Sequence, residues 1–154
     1  MGAINLRSLY YSICQLSGRK MPIKLVVKNP DRCIDCATCL FLCSRELTGV
    51  ISVKHSAIRI SRSGLGFKIT VCSGCEEPDC ASACLYEALK PRSGGGVELV
   101  NPEKCEKCEN RPCLDACSLK ALNWDDERRR PIICIECGVC AKFCPHDVLY
   151  YGEV

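Results

Sequence analysis

The sequence predicts an α+β domain of short strands and short helices wrapped around metal-binding loops. Three observations carry that prediction. Sixteen of the seventeen cysteines fall into four groups of four with two repeated spacings. Between the groups run short β-rich stretches bounded by glycine, proline and asparagine. Apolar residues make up 47% of the 154 residues, but cysteine inflates that share and aromatics reach only 6%. The organic core is therefore thin, and bound metal should serve as its cross-link. The metal-free chain is not expected to fold stably.

The first group is Cys33, Cys36, Cys39 and Cys43, spaced C-x-x-C-x-x-C-x-x-x-C. The second, Cys72, Cys75, Cys80 and Cys84, has four residues before its third cysteine, and the third group, Cys105, Cys108, Cys113 and Cys117, repeats that spacing. The fourth, Cys134, Cys137, Cys140 and Cys144, repeats the first and is followed by Pro145. This is the run with which bacterial two-cluster ferredoxins hold [4Fe–4S] cubanes. A tight C-x-x-C-x-x-C loop can wrap three corners of one cubane, while the fourth cysteine starts a helical turn that points away and serves a neighbouring cluster. Groups must then work in pairs. Pro78 and Pro112 sit in the two longer gaps, where a fixed φ suits a turn.

Two other chemistries compete for these cysteines. A disulfide scaffold suits short secreted chains, but no secretory leader is visible and the C-x-x-C groups are too regular for one. Zinc takes four ligands, commonly as two separated pairs, which leaves the repeated C-x-x-C-x-x-C-x-x-x-C unexplained. A set of mixed redox or structural thiols explains the repeat least.

Taken in order, residues 1–20 show roughly helical apolar spacing through Ile4, Leu6, Leu9, Tyr10, Ile13 and Leu16. They read either as a docking arm or as an upstream start, with Met21 opening the body. Cys14 lies outside every group and reads as a small hydrophobe or free thiol. Ile23–Val27 alternates and stops at Asn29-Pro30, which predicts a strand. Val50–Ile60 and Leu65–Val71 predict a hairpin turning at Ser61-Arg62-Ser63-Gly64. Tyr86–Leu89 predicts a short helical turn, Arg92–Gly96 a glycine-rich turn, and Val97–Val100 a strand before Asn101-Pro102. Lys120–Trp124 leads through Asp125–Arg130 to Pro131–Ile133 and the fourth group. Val148–Tyr151 predicts a strand that can pair with Ile23–Val27. His55 reads as a surface strand residue. His146 reads as an exposed polar residue or, less simply, as a neighbour of a cluster. Arg128-Arg129-Arg130 reads as a solvated turn, or as a screen for cluster charge.

The formal net charge is +3. A [4Fe–4S]2+ core with four thiolates carries about −2, so four such sites make the loaded chain about −5 overall. The basic excess then compensates cluster charge, and no basic stripe with interleaved aromatics suggests nucleic acid. No apolar run reaches a membrane span. The expected setting is cytoplasmic and reduced. No phosphate-cradling glycine motif, flavin fingerprint or nucleophile–base pair is found, so the chain is not expected to catalyse on its own.

VCSGCEEPDCASACLYEAL and KCEKCENRPCLDACSLKAL align without a gap, sharing four cysteines, the proline and the trailing Ala-Leu. With the outer groups sharing the other spacing, the chain resembles the polyferredoxin-type iron–sulfur subunits of multi-subunit oxidoreductases, over about residues 22–152. Its small size and motif order are most similar to the four-cluster subunit of tungsten-containing aldehyde:ferredoxin oxidoreductases. The resemblance implies two nested dicluster ferredoxin-like units: an outer one from 22–49 and 125–154 and an inner one from 70–124, with a hairpin at 50–71 and an extension at 1–21. It implies four [4Fe–4S] sites, held by Cys33, Cys36, Cys39 and Cys144; by Cys134, Cys137, Cys140 and Cys43; by Cys72, Cys75, Cys80 and Cys117; and by Cys105, Cys108, Cys113 and Cys84. It implies electron relay in an anaerobic setting between a tungsten- or molybdenum-pterin catalytic subunit and a ferredoxin or other carrier. A formate dehydrogenase, a hydrogenase or a free polyferredoxin is the alternative. The chain departs from the family where Ser44, Leu85 and Ser118 replace the proline that usually follows the last cysteine.

Overall fold

Four two-stranded antiparallel ladders alternate with the four cysteine groups. The structure, a computed structural model, describes residues 23–153, so the extension and Cys14 lie outside the described residues. β1 (Ile23–Val27) pairs with β8 (Leu149–Glu153), with Ile23 opposite Glu153 and Val27 opposite Leu149. β2 (Ile58–Ser63) pairs with β3 (Gly66–Val71), and β4 (Leu89–Pro91) with β5 (Val97–Leu99). β6 (Asn123–Asp125) pairs with β7 (Arg130–Ile132). The strand leaving each cysteine group thus pairs with the strand entering the next, and the last with the first. The pairing of the two chain ends is the one expected from the alternation at Ile23–Val27. Pro91 and Pro131 are tolerated because each ladder has only two strands, so every strand is an edge.

Helices are brief: α1 (Thr38–Thr48), α2 (Asp79–Ser82), α3 (Pro102–Cys105), α4 (Pro112–Ala116) and α5 (Val139–Lys142). Pro102 and Pro112 open their helices, where a missing N–H costs nothing, and Pro78 caps α2. Only α1 runs to 11 residues. It continues past Cys43 because Ser44 keeps the N–H that an interior helical position needs and that proline lacks. Gly49, at φ 75°, ends it with a bond from its N–H to the Arg45 carbonyl at 2.8 Å.

Two small cores lie side by side. The outer one gathers Leu25, Ile58, Ile69, Val71, Ile132, Val148 and Leu149 with Cys43, Cys134 and Cys140. The inner one has Leu89, Val97, Leu122 and Ile133 with Cys80 and Cys113. Ile132 and Ile133, adjacent in sequence, face different cores, and Cys72 packs against both.

Several expectations need correction. The β2–β3 turn is Gly64–Leu65 rather than Ser61–Gly64, because the primed turns that match strand twist need a positive φ, and Gly64 supplies it at 58°. Residues 50–57 are not strand; they hold a 3-10 turn at Val53–His55. Tyr86–Leu89 is not helical: a turn closes from the Glu87 N–H to the Cys84 carbonyl, and β4 starts at Leu89. The β6–β7 hairpin was not foreseen. Asp125 makes it, accepting the N–H groups of Glu127 and Arg128 across the turn and the Arg128 guanidinium at 3.0 Å. His55 is no surface strand residue either. Its side chain is largely buried, 3.9 Å from Asp125.

Candidate metal centres

The loops between the first cysteines are bent by left-handed backbone. In the first group Asp35 and Ala37 take φ 59°, and in the fourth Glu136 (54°) and Gly138 (72°) do so at the same two positions. Gly74, at 70°, repeats the first of these in the second group. Non-glycine residues in this region cost of order 1 kcal/mol each and persist where the surroundings demand them. Gly138 has a second reason: an added Cβ would strike the Tyr151 ring.

These loops bring cysteines together across groups. Cys33, Cys36, Cys39 and Cys144 line one cavity with about 360 Å³ of free space, part of it open to solvent. Cys84, Cys105, Cys108 and Cys113 line a second of about 320 Å³, and Cys43, Cys134, Cys137 and Cys140 a third of about 280 Å³. The remaining four are also neighbours: the charges of Cys117 and Cys75 act on Cys80, and those of Cys80 and Cys117 on Cys72. Each quartet thus takes three cysteines from one group and the last cysteine of another, group one exchanging with four and group two with three. A roomier cleft, beside Leu47, Arg92 and Ile133, contains no cysteine.

All sixteen of these cysteines are free thiols. Burial, reinforced by the charges of Cys144, Cys33 and Cys36, pushes the Cys39 thiol up to about 12. Burial also lifts Cys113 to about 12, with the charges of Cys84, Cys105 and Cys108 behind it, and raises Cys140 further, with those of Cys43, Cys134 and Cys137. Four thiolates so crowded and dry need a compensating cation, and a coordinated metal deprotonates thiols outright. Among the described residues no three His, Cys, Asp or Glu side chains converge on a single ion. The quartets line open space, which has room for a polynuclear cluster.

The last cysteine of each group receives the same support. The Ala88 N–H donates to Cys84 Sγ at 3.3 Å, Ala121 to Cys117 at 3.4 Å and Val148 to Cys144 at 3.4 Å, each from four residues on. Cys43 receives its N–H from Ala57, fourteen residues on, also at 3.4 Å. Ser44 replaces proline here for a reason. Its buried hydroxyl donates to the Phe41 carbonyl and accepts the Ser52 N–H, both at 2.9 Å, pinning the loop that returns Ala57 to Cys43. The buried Ser56 hydroxyl adds a further hydrogen bond that favours the Cys43 thiolate. Every donor to sulfur stabilises negative charge there.

Neighbouring quartets lie close enough for their cysteines to interact electrostatically. Cys39 and Cys140 feel each other's charge, as do Cys72 and Cys134, and Cys80 and Cys113. The Cys72–Cys134 junction is braced by polar contacts. Lys24 Nζ donates to the Gly74 carbonyl at 3.1 Å, and Ser73 Oγ donates to Glu136 at 3.2 Å. Arg92 pairs with Glu136 at 3.4 Å and donates to the Cys134 carbonyl at 3.3 Å. His146, read first as an exposed polar residue, lines the cavity of Cys33, Cys36, Cys39 and Cys144. Of the arginine run, Arg128 pairs with Asp125, while Arg130 lies near enough to Cys105 to favour its thiolate. Sequence reasoning missed Trp124, which lines the cavity of Cys84, Cys105, Cys108 and Cys113 and keeps its Nε1 buried without a partner. Such an orphaned donor fits a cavity filled by an acceptor such as cluster sulfur.

No family model matches the chain. Over 131 residues the chain is 31% identical to the aliphatic sulfonate oxidoreductase polyferredoxin-like subunit of Pyrococcus furiosus, covering 80% of this chain and 75% of that protein. It is 27% identical over 128 residues to the beta subunit of the NADH-dependent phenylglyoxylate dehydrogenase of Aromatoleum evansii, covering 79% of this chain but 28% of that one. It is 29% identical over 91 residues to the dimethylsulfide dehydrogenase beta subunit of Rhodovulum sulfidophilum, covering 53% and 27%.

Proposed function

The chain belongs to the polyferredoxin-like iron–sulfur subunits of oxidoreductases, and on that premise we propose that it relays single electrons through four [4Fe–4S] clusters, one in each cysteine quartet. The observation that carries this reading is the exchange of last cysteines between groups one and four and between groups two and three. It supports two nested two-cluster units, the outer from 22–49 and 125–154 and the inner from 70–124, bridged by the hairpin segment 50–71. Cys33, Cys36, Cys39 and Cys144 hold the first cluster, and Cys134, Cys137, Cys140 and Cys43 the second. Cys72, Cys75, Cys80 and Cys117 hold the third, and Cys105, Cys108, Cys113 and Cys84 the fourth.

Bound clusters supply one-electron oxidation and reduction. The chain's own residues set their order and surroundings. The cysteine pairs that feel each other's charge support a row of sites, first to fourth, with Cys72 and Cys134 at the junction of the two units. Buried aliphatic residues such as Ile58, Leu89, Leu122 and Leu149 keep water from the last cysteines, and the backbone N–H donors hold each of those sulfurs in place. Every corner of every cubane is taken by cysteine in this reading, so no iron is left open for substrate and the chemistry belongs to a partner subunit.

For that partner we favour a tungsten-pterin aldehyde oxidoreductase, on the resemblance of size and motif order, with a ferredoxin or other carrier at the far end of the row. The relatives' names favour a second reading: a partner enzyme acting on an aliphatic sulfonate, phenylglyoxylate or dimethylsulfide. We place the protein in the cytoplasm. Among the described residues no helix is long and apolar enough to cross a membrane. Purifying the native complex without oxygen, identifying its subunits by mass and assaying Fe, W, Mo, Ni and Zn tests the reading. Tungsten with iron beyond the partner's own is expected. Molybdenum or nickel changes the partner and keeps the relay, and a chain that purifies alone, in no complex, overturns the subunit role.

A further inference from the structure

We propose that the Trp124 indole N–H donates a hydrogen bond to cluster sulfur at the site of Cys84, Cys105, Cys108 and Cys113, and raises the reduction potential of that end of the row. The inference rests on the reading that this quartet holds an iron–sulfur cluster. Trp124, the single tryptophan of the chain, stands in β6 and lines the cavity those four cysteines surround. Its Nε1 is buried and finds no hydrogen-bond partner in the protein. A buried donor without an acceptor is unfavourable, and tryptophan can only donate. The ring is held in place from outside. The Arg111 guanidinium stacks over it at 4.5 Å from the ring centroid and is itself anchored to Asp126 at 3.1 Å.

The effect on potential follows from charge. Reduction adds an electron to an already anionic site, so donors and cations beside the sulfur favour the reduced state and raise the potential. This quartet combines the indole N–H with the Arg130 cation, which lies close to Cys105. Among the described residues the other buried side-chain donor without a partner is His55 Nδ1. His55 lines none of the three cysteine cavities and sits against Asp125 instead. Among the described residues such a donor therefore stands at this end of the row, which makes it the end where electrons collect.

Redox titration of the anaerobically loaded chain, followed by electron paramagnetic resonance, compares the native protein with Trp124→Phe, which keeps an aromatic ring and deletes the N–H. One midpoint should move to lower potential while the other three stay and the iron content is unchanged. Full iron with all four midpoints unmoved overturns the proposal and leaves ligation standing. A native chain with no iron in this quartet removes the reading beneath it. Should the variant fail to load, the native chain labelled with indole nitrogen-15 gives the answer. A nitrogen hyperfine coupling at one reduced cluster is expected, and no coupling at any cluster overturns the hydrogen bond.

Discussion

The link from Cys43 to Ala57 and the link from Cys84 to Ala88 deliver the same N–H to the same kind of sulfur, at 3.4 and 3.3 Å, by different routes. The inner route takes three residues and leans on one left-handed residue, Glu87 at φ 52°. The outer route extends α1 to 11 residues, closes it at Gly49 and ties the returning loop to Ser44. The same contrast runs through both units. The outer core, which takes in the β2–β3 hairpin, is flanked by five- and six-residue strands and has eight buried apolar residues besides cysteine, whereas the inner core has three-residue strands and four such residues. A region with little apolar area must be held by its ligands. A region with a core of its own can keep some order without them.

Removing iron is the largest way to test that contrast. With chelator under reducing conditions, the inner strands β4, β5 and β6 should lose all amide protection. The β2–β3 hairpin should retain a measurable part of its own by hydrogen exchange. Equal loss in both regions would erase the distinction. Next in size is Ser44→Pro, which removes an N–H inside α1 and should cost about 3 kcal/mol or more, together with iron from the sites that share Cys43 and Cys144. Leu85→Pro and Ser118→Pro fall in exposed turns equivalent to that of Pro145 and should stay within about 0.5 kcal/mol. Thermal melts with iron assays compare the three variants. The smallest effect is expected at the junction. Glu136→Gln loses the Arg92 ion pair and should cost about 1 kcal/mol, while the midpoints of the sites on either side rise because a negative charge has left. A midpoint that falls contradicts this placement of Glu136.

Much of this was legible in the residues because cysteine spacing and strand alternation act locally. Ile23–Val27 alternates and Val148–Tyr151 reads as a strand, so their pairing could be read across more than a hundred residues. The 61–64 turn was misplaced because Ser61-Arg62-Ser63 looks like a loop by composition and Leu65 looks like a strand. The register instead follows from where Gly64 can turn, and leaves Leu65 at the exposed tip. The β6–β7 hairpin was hidden because Asn123-Trp124-Asp125 carries no strand signal of its own. Its stability comes from Asp125 capping the turn. The roles of Ser44, Ser56 and Trp124 are contacts between distant segments, and no local pattern announces them.

The most direct test of the relay is the cofactor count itself. The chain, loaded and kept without oxygen, is assayed for iron and acid-labile sulfide and examined by Mössbauer spectroscopy. About sixteen of each per chain, all in cubane-type clusters, is the expected result for four all-cysteine sites. Iron near half that value, or zinc in its place, would contradict the assignment of all four quartets.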